Sequence, residues 1–437
     1  MTASSIYVAS RYRFPVALLY GTALTLVVVS VIYYTTVRSP SYIAPLQALH
    51  DGLYEQSDSI FSSWSFVTER DSHNYGLNAA QCNIAFPSLY HEIDRAVKFR
   101  KQNKIQAEEL DTAWRGDGIA RCMIYNNQLY IIEARGIWDQ NHRPRALATL
   151  HSLNRALTAY PDPLPNIEFT FTDHDSAAFD EHTTWAYSRL PEQESLWLMP
   201  DFGFWGWPDV GLRSYSELQT LIDDQELYFL DKIPKLVWRG NVNVGSHDVR
   251  AALVEQSKDQ TWSDVRALDW GNKTNIAENL IGMEDHCDYM FVAQTEGNTY
   301  SGRLKYLLNC ESIVVSHKLK FLEHFTHLMI PTGPTQNFVQ VRRDFKDLKS
   351  TVEGLLEVKN ADVAAGIAKR ARETFKDKYL TPAACACYWR QLVRGWNETQ
   401  GFETKFWRDV DAESESKSKS KKQTKRKPRG VPFEAFA

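Results

Sequence analysis

The chain has 437 residues, of which 43% are hydrophobic and 24% charged, and its formal net charge is −4. These values describe an ordinary globular protein and exclude a collagen-like or compositionally disordered chain. The net charge says nothing strong about nucleic acid, which the apolar N-terminal segment argues against as a partner, and the length predicts two domains rather than one core.

In chain order, residues 1–13 read as a cytosolic tail. Phe14–Val37 then carries no charged residue and is long enough to cross a bilayer as a helix. Tyr20, Tyr33 and Tyr34 lie toward its ends, where aromatic rings favour the interface. A cleaved signal peptide would have a shorter apolar core and a small-x-small site after it. Arg11 and Arg13 precede the segment and only Arg38 follows closely. That bias predicts a single-pass type II anchor with a lumenal body. Residues 38–72 read as a stem.

Residues 73–224 mix helices and strands and are expected to form an acceptor-side α/β domain. Ser88–Gln102 has helical apolar spacing. Cys122–Arg135 reads as two strands around Asn126-Asn127, a hairpin turn pair. Arg145–Tyr160 is helical. The stretch "NIEFTFTDHDSAAFD" (Asn166–Asp180) then opens as a strand and ends in acids. Asp173-His174-Asp175 spells D-x-D, the pattern by which some glycosyltransferases hold a divalent metal and a nucleotide diphosphate.

Residues 225–400 alternate more regularly. Strands are expected at Lys235–Trp238, Asp288–Gln294, Ser312–Ser316, Leu328–Pro331 and Phe338–Val341. Helices are expected at Asp248–Gln256, Gly302–Cys310, Phe345–Val358 and Ala361–Phe375. Such alternation implies a parallel sheet covered on both faces, with ligands at the carboxyl ends of its strands. Lys417, Lys419, Lys421, Lys422, Lys425, Arg426, Lys427 and Arg429 crowd the C-terminus, so residues 411–437 read as a disordered basic tail. The six cysteines (Cys82, Cys122, Cys287, Cys310, Cys385 and Cys387) permit disulfides in a lumenal body, with the pairing open. Asn272-Lys-Thr274 and Asn397-Glu-Thr399 are glycosylation sequons.

Three stretches carry chemistry. The loop "TEGNTYSGR" (Thr295–Arg303) lies between a strand and a helix. Its glycines allow close backbone approach, its amides suit an anion, and Arg303 can fork onto a diphosphate. "VWRGN" (Val237–Asn241) ends a strand with Arg239, and Arg250 lies in the next helix. Three arginines on one rim suit a departing nucleoside diphosphate; three separate surface salt bridges are the alternative. "PDFGFWGWPDVG" (Pro200–Gly211) offers Trp205 and Trp207 as faces for a sugar, or as a plug between domains.

Taken together, "NIEFTFTDHD", "LMPDFGFWGWP", "KLVWRGN", the helix with Arg250, "DHCDYMFVAQTEGNTYSGRLKYLLNCESIVV" and "FLEHF" resemble glycosyltransferase family 90, the capsule-associated and protein O-glucosyltransferase family. The resemblance covers about Pro165–Trp396. It implies an α/β GT-B fold of two Rossmann-like domains facing a cleft, with the C-terminal one binding the nucleotide sugar. It implies transfer of glucose or xylose from a UDP-sugar to a hydroxyl of a glycan or protein, with inversion and no metal or other cofactor. Fungal members are commonly type II Golgi proteins, which implies a Golgi or endoplasmic reticulum membrane location.

Residue by residue, the catalytic base falls on Asp175. UDP contacts fall on Arg239, Gly240, Asn241, Arg250, the loop Gly297, Asn298, Thr299, Tyr300, Ser301 and Gly302, and Arg303. Trp205 and Trp207 are the substrate-facing candidates. Thr172 stands where the family has Asn, Ser176-Ala177 where it has an aromatic-Pro pair, and Asn241 where it has Ser. The alternatives are a metal-dependent GT-A transferase using Asp173 and Asp175, and an inactive, membrane-anchored carbohydrate-binding relative.

Overall fold

Two apolar patterns build two sheets. The computed structural model describes residues 64–160, 162–175, 182–207, 210–212, 214–410 and 425–437. The expected anchor lies outside them, and no helix among the described residues is long and apolar enough to cross a membrane.

The first sheet contains β1 (Ile119–Tyr125), β2 (Gln128–Arg135), β3 (Ile167–Thr172), β4 (Trp185–Ala186) and β5 (Trp197–Leu198). Asn126 and Asn127 adopt φ of 50° and 60°, the left-handed pair that a two-residue hairpin turn needs, and so β1 and β2 run antiparallel. β3 pairs antiparallel with β1, while β3, β4 and β5 are mutually parallel. This sheet is therefore mixed, not the all-parallel sheet of a Rossmann-like half. The register sets Thr172 opposite Ile119, which brings the residues before β1 beside those after β3.

The second sheet is parallel throughout, as the alternation predicts. It comprises β6 (Ile233–Gly240), β7 (Ser263–Ala267), β8 (Tyr289–Gln294), β9 (Ile313–His317) and β10 (Val339–Val341), in the order β10-β9-β8-β6-β7. Leu236, Trp238, Phe291, Ile313 and Val315 form its buried core with Val249 and Leu253 of the helix His247–Ser257 and Ile367 of the helix Ala361–Thr374. Leu328–Pro331 forms no strand: Leu328 closes a short 3-10 turn and the chain continues irregularly.

The expected boundaries shift in three places. The helix Pro382–Thr399 belongs in space to the first sheet, where Trp396 donates to the Glu168 carbonyl at 3.0 Å and Tyr388 to that of Leu198 at 2.9 Å. A Cys82–Cys387 disulfide fixes this return, a Cys287–Cys310 disulfide lies in the second half, and Cys122 and Cys385 are buried free thiols.

At the front, the folded body begins inside the expected stem. Asp71 is buried, and the Ser72 carbonyl accepts from Ala383 N at 2.9 Å. At the end, residues 425–437 are not a free tail. β11 (Trp407–Val410) pairs with β12 (Lys425–Pro428), and β13 (Val431–Pro432) extends the first sheet on β2. Arg429 forks onto buried Glu168 at 2.7 and 2.8 Å, and Phe433 is buried. A buried carboxylate between β-strands demands cations, and the basic tail supplies one.

Candidate active site

The end of β3 is where the first sheet offers its acids. Thr172 is fully buried, and its hydroxyl donates to the Gly118 carbonyl at 2.9 Å while lying 3.3 Å from the His174 amide. This threonine thus anchors the turn that carries residues 173–175. The two acids of the D-x-D then part company. Asp173 is fully buried and meets His142 Nδ1 at 2.6 Å. Asp175 is half-exposed and pairs through Oδ1 with Arg145 at 2.9 Å. His142 and Arg145 lie three apart on the helix His142–Thr158, hence on one face, and each takes one acid. Burial pushes the Asp173 carboxyl up despite the bond to His142. Burial opposes the Arg145 charge, but Asp175 and nearby Tyr300, Tyr187 and Asp173 outweigh it and hold its pKa above the ordinary value. Its guanidinium also lies 5.1 Å from the Phe202 ring centre.

The loop after β8 approaches from the second sheet. Thr299 donates its hydroxyl to the Asp175 carbonyl, joining the two halves at the acid itself. The segment 241–246 is laced to the same loop: Gly245 N donates to Asn298 Oδ1 at 3.0 Å and Ser246 N to the Gly297 carbonyl at 2.9 Å. Asn241 uses its side chain on Asn243 N, at 2.6 Å, and its carbonyl on Arg250, at 2.7 Å. Tyr300 is buried and Ser301 half-buried. The helix that follows is one turn, Leu304–Leu307, so its dipole adds little.

Positive charge at this loop comes from two arginines over one indole. The Arg250 and Arg303 guanidinium carbons lie 5.8 and 5.7 Å from the Trp238 ring centre. Arg250 donates to the carbonyls of Glu296 and Asn241, and its Nη2 lies 3.3 Å from where a Cβ on Gly297 would stand. A Cβ on Gly240 would stand 2.7 Å from the Trp238 ring and 3.2 Å from Arg303 Nη2, so only glycine leaves Arg303 this place. Burial lowers Arg250 to about 10; burial and then the Arg250 charge lower Arg303 to about 9. Among the described residues neither has an acidic partner. Two close, desolvated guanidiniums without an acidic partner are chemically able to take an anion.

The chain matches the family described as Glycosyl transferase family 90 over residues 79–429. It belongs to glycosyltransferase family 90. Among curated relatives, an O-glucosyltransferase rumi homolog from Aedes aegypti is 26% identical over 268 residues, which cover 55% of this chain and 64% of that protein. Protein O-glucosyltransferase 1 from Homo sapiens is 30% identical over 139 residues, 32% of this chain and 33% of that protein. Protein O-glucosyltransferase 3 from Rattus norvegicus is 27% identical over 121 residues, 28% of this chain and 23% of that protein. The matched stretches thus span less than two thirds of each relative.

Not every expected residue of this family 90 chain gathers at the loop after β8. Arg239 does not stand with Arg250 and Arg303. Successive strand residues point to opposite faces, and Arg239 turns away from the Trp238 face toward β7. There it pairs with Asp264 at 2.9 Å and donates to the carbonyls of Asn279, Trp238 and Asp264. Trp205 is likewise occupied, stacked on His151 at 5.1 Å and under Arg155 at 4.1 Å, beside Tyr75, Ser152 and Cys385. Trp207 lies against the loop 295–303: a Cβ on Gly302 would stand 3.3 Å from its ring. Ser176, Ala177 and Asp180 lie outside the described residues.

The sequence reading missed Arg145, His142, Asp117 and the buried pair Lys305–Asp201, joined at 2.8 Å beneath Gly302. Nearby Glu323 is pushed well above the carboxylate range by burial and then by Asp201. The signal for His142 and Arg145 was their i, i+3 spacing just before a strand that ends in acids. Nothing local marked Asp201.

Proposed function

We propose that this protein is an inverting GT-B-type transferase. It moves glucose or xylose from a UDP-sugar to a hydroxyl of a protein or glycan acceptor. The observation that carries the reading is the Thr299–Asp175 contact, which sets a carboxylate of one half against the anion loop of the other. Asp175 Oδ1 is held by Arg145, leaving Oδ2 for the acceptor. In the proposed step Oδ2 takes the hydroxyl proton as that oxygen attacks the anomeric carbon. The bond from that carbon to the diphosphate breaks on the opposite face, and Arg250 and Arg303 stabilise the departing UDP. These arginines stand in for a metal on the diphosphate, and the divergent partners of Asp173 and Asp175 favour this over a D-x-D metal site. The likeness to O-glucosyltransferases favours glucose as the sugar. Two disulfides and the apolar Phe14–Val37 segment support a lumenal body on a Golgi or endoplasmic reticulum membrane.

The test is Asp175→Asn. UDP release with UDP-glucose or UDP-xylose and an acceptor is expected to fall about 10²–10⁴-fold while UDP binding persists. Retained turnover would overturn the assignment of the base. Glycan binding by the native protein without any UDP release would favour the inactive relative.

A further inference from the structure

Beside the proposed base lies a side-chain cluster that the transfer step does not use. Asp117 precedes β1, His142 opens the helix His142–Thr158, and His174 follows β3. The antiparallel register of β1 and β3 brings the first and last together, and the Asp173 amide donates to the Gly118 carbonyl at 2.9 Å. One ligand atom from each of Asp117, His142 and His174 lies within 4.8 Å of the others. His174 Nε2 is 3.0 Å from Asp117 Oδ1, and His142 Nε2 is 4.0 Å from Asp117 Oδ2. We propose that Asp117, His142 and His174 bind a zinc-class divalent cation.

The reason lies in Asp173. Its side chain is fully buried, Oδ1 accepts from His142 Nδ1 at 2.6 Å, and Oδ2 has no hydrogen-bond partner among the described residues. A buried carboxylate with one bond is costly unless further positive charge offsets it. Arg145 and Arg115 already favour the carboxylate form, and a dication on the far nitrogen of His142 adds to them at the histidine itself. The order carboxylate, imidazole, metal is the arrangement that orients metal-bound histidines, because the carboxylate fixes Nδ1–H and turns Nε2 outward. Two imidazoles and one carboxylate suit zinc rather than magnesium or calcium, and leave a fourth position for water. Tetrahedral bonds of about 2.0–2.1 Å place ligand atoms roughly 3.3 Å apart. The three ligand atoms, within 4.8 Å of one another, therefore close by up to about 1.5 Å, which rotamer adjustment of the two more exposed side chains can supply. Gly118 makes the crowding possible. It has φ +59°, and a Cβ there would stand 2.4 Å from Asp173 Oδ1 and 2.8 Å from His142 Nδ1.

None of the three ligands belongs to the donor loop, so this cation holds no diphosphate. It clasps the end of β3, the turn before β1 and the helix that carries Arg145, and so fixes the backbone on which Asp175 stands. The clasp does not rest on the transferase reading.

The experiment uses the full, untagged chain in detergent, stripped with chelator and titrated with Zn²⁺ by calorimetry. Co²⁺ absorption then reports the coordination geometry. One equivalent is expected, with a tetrahedral cobalt spectrum. His174→Gln and Asp117→Asn should each abolish that equivalent while leaving the melting curve cooperative. Asp173→Asn should weaken it about 10–100-fold. Both His174 and Asp117 are solvent-accessible, so at least one of the two variants is expected to stay folded. Absence of a stoichiometric site in the native chain, or unchanged binding in either folded ligand variant, overturns the proposal.

Discussion

The Thr299 hydroxyl donates to the Asp175 carbonyl, so the anion loop of the second sheet and the acid of the first are one structural unit. Replacing Thr299 with Val keeps the shape and removes the donor. A hydrogen bond of this kind contributes about 1 kcal/mol. The expected result is a loss of roughly fivefold in kcat/KM with UDP affinity little changed, measured by steady-state UDP release.

The two arginine environments separate function from stability. Arg303 has no acid among the described residues, so Arg303→Ala should leave the melting temperature nearly unchanged. It should weaken UDP binding by about 1.5–3 kcal/mol, the range for a charged hydrogen bond. Arg239 is buried against Asp264, and its removal leaves that carboxylate only the more exposed Arg266 and the Tyr289 hydroxyl. Arg239→Ala should therefore cost about 3 kcal/mol of stability. Urea unfolding and UDP titration on both variants check the split.

Acid should weaken the fold through His324. This ring is buried against Phe204, Phe325 and Tyr388, and burial lowers its pKa to about 3. In the unfolded chain it titrates near its ordinary value of about 6.5. Between those values the unfolded state binds the extra proton, so stability rises with pH across that window and falls on acidification. Going from pH 7 to pH 4 should cost on the order of 3 kcal/mol from this group. His324→Phe should flatten the pH dependence of the urea midpoint over that interval. An unchanged slope would assign the acid sensitivity to other groups.

Residues 425–437 should not be dispensable. Deleting them removes Arg429 from Glu168 and uncovers the site of Phe433, although Arg121 still pairs with Glu168. Loss of the buried aromatic side chain and of one ion-pair partner predicts destabilisation of about 3–5 kcal/mol. Thermal unfolding of the deletion variant checks this, with Arg429→Ala separating the charge from the apolar part.

What was legible in the sequence was local. The Asn126-Asn127 turn, the apolar runs of β6, β8 and β9 and the acids after β3 all depend on neighbours within a few residues. Backbone geometry translates such patterns directly into strands, turns and helices. Motif order also carried the family, because it spans more than half of the chain. Tertiary structure alone decided sidedness and partnership. Arg239 and Arg250 looked equivalent as residues near a strand end, yet one meets Asp264 and the other the buried Trp238 ring and two backbone carbonyls. Asp173 and Asp175 looked like one motif, yet His142 and Arg145 divide them. The basic C-terminus looked solvated, yet buried Glu168, remote in sequence, draws Arg429 in. Each outcome turns on which distant charge lies within a few ångströms after folding, where burial makes an unpaired charge costly. Local pattern sets where a side chain starts, and the packed neighbour sets what it can do.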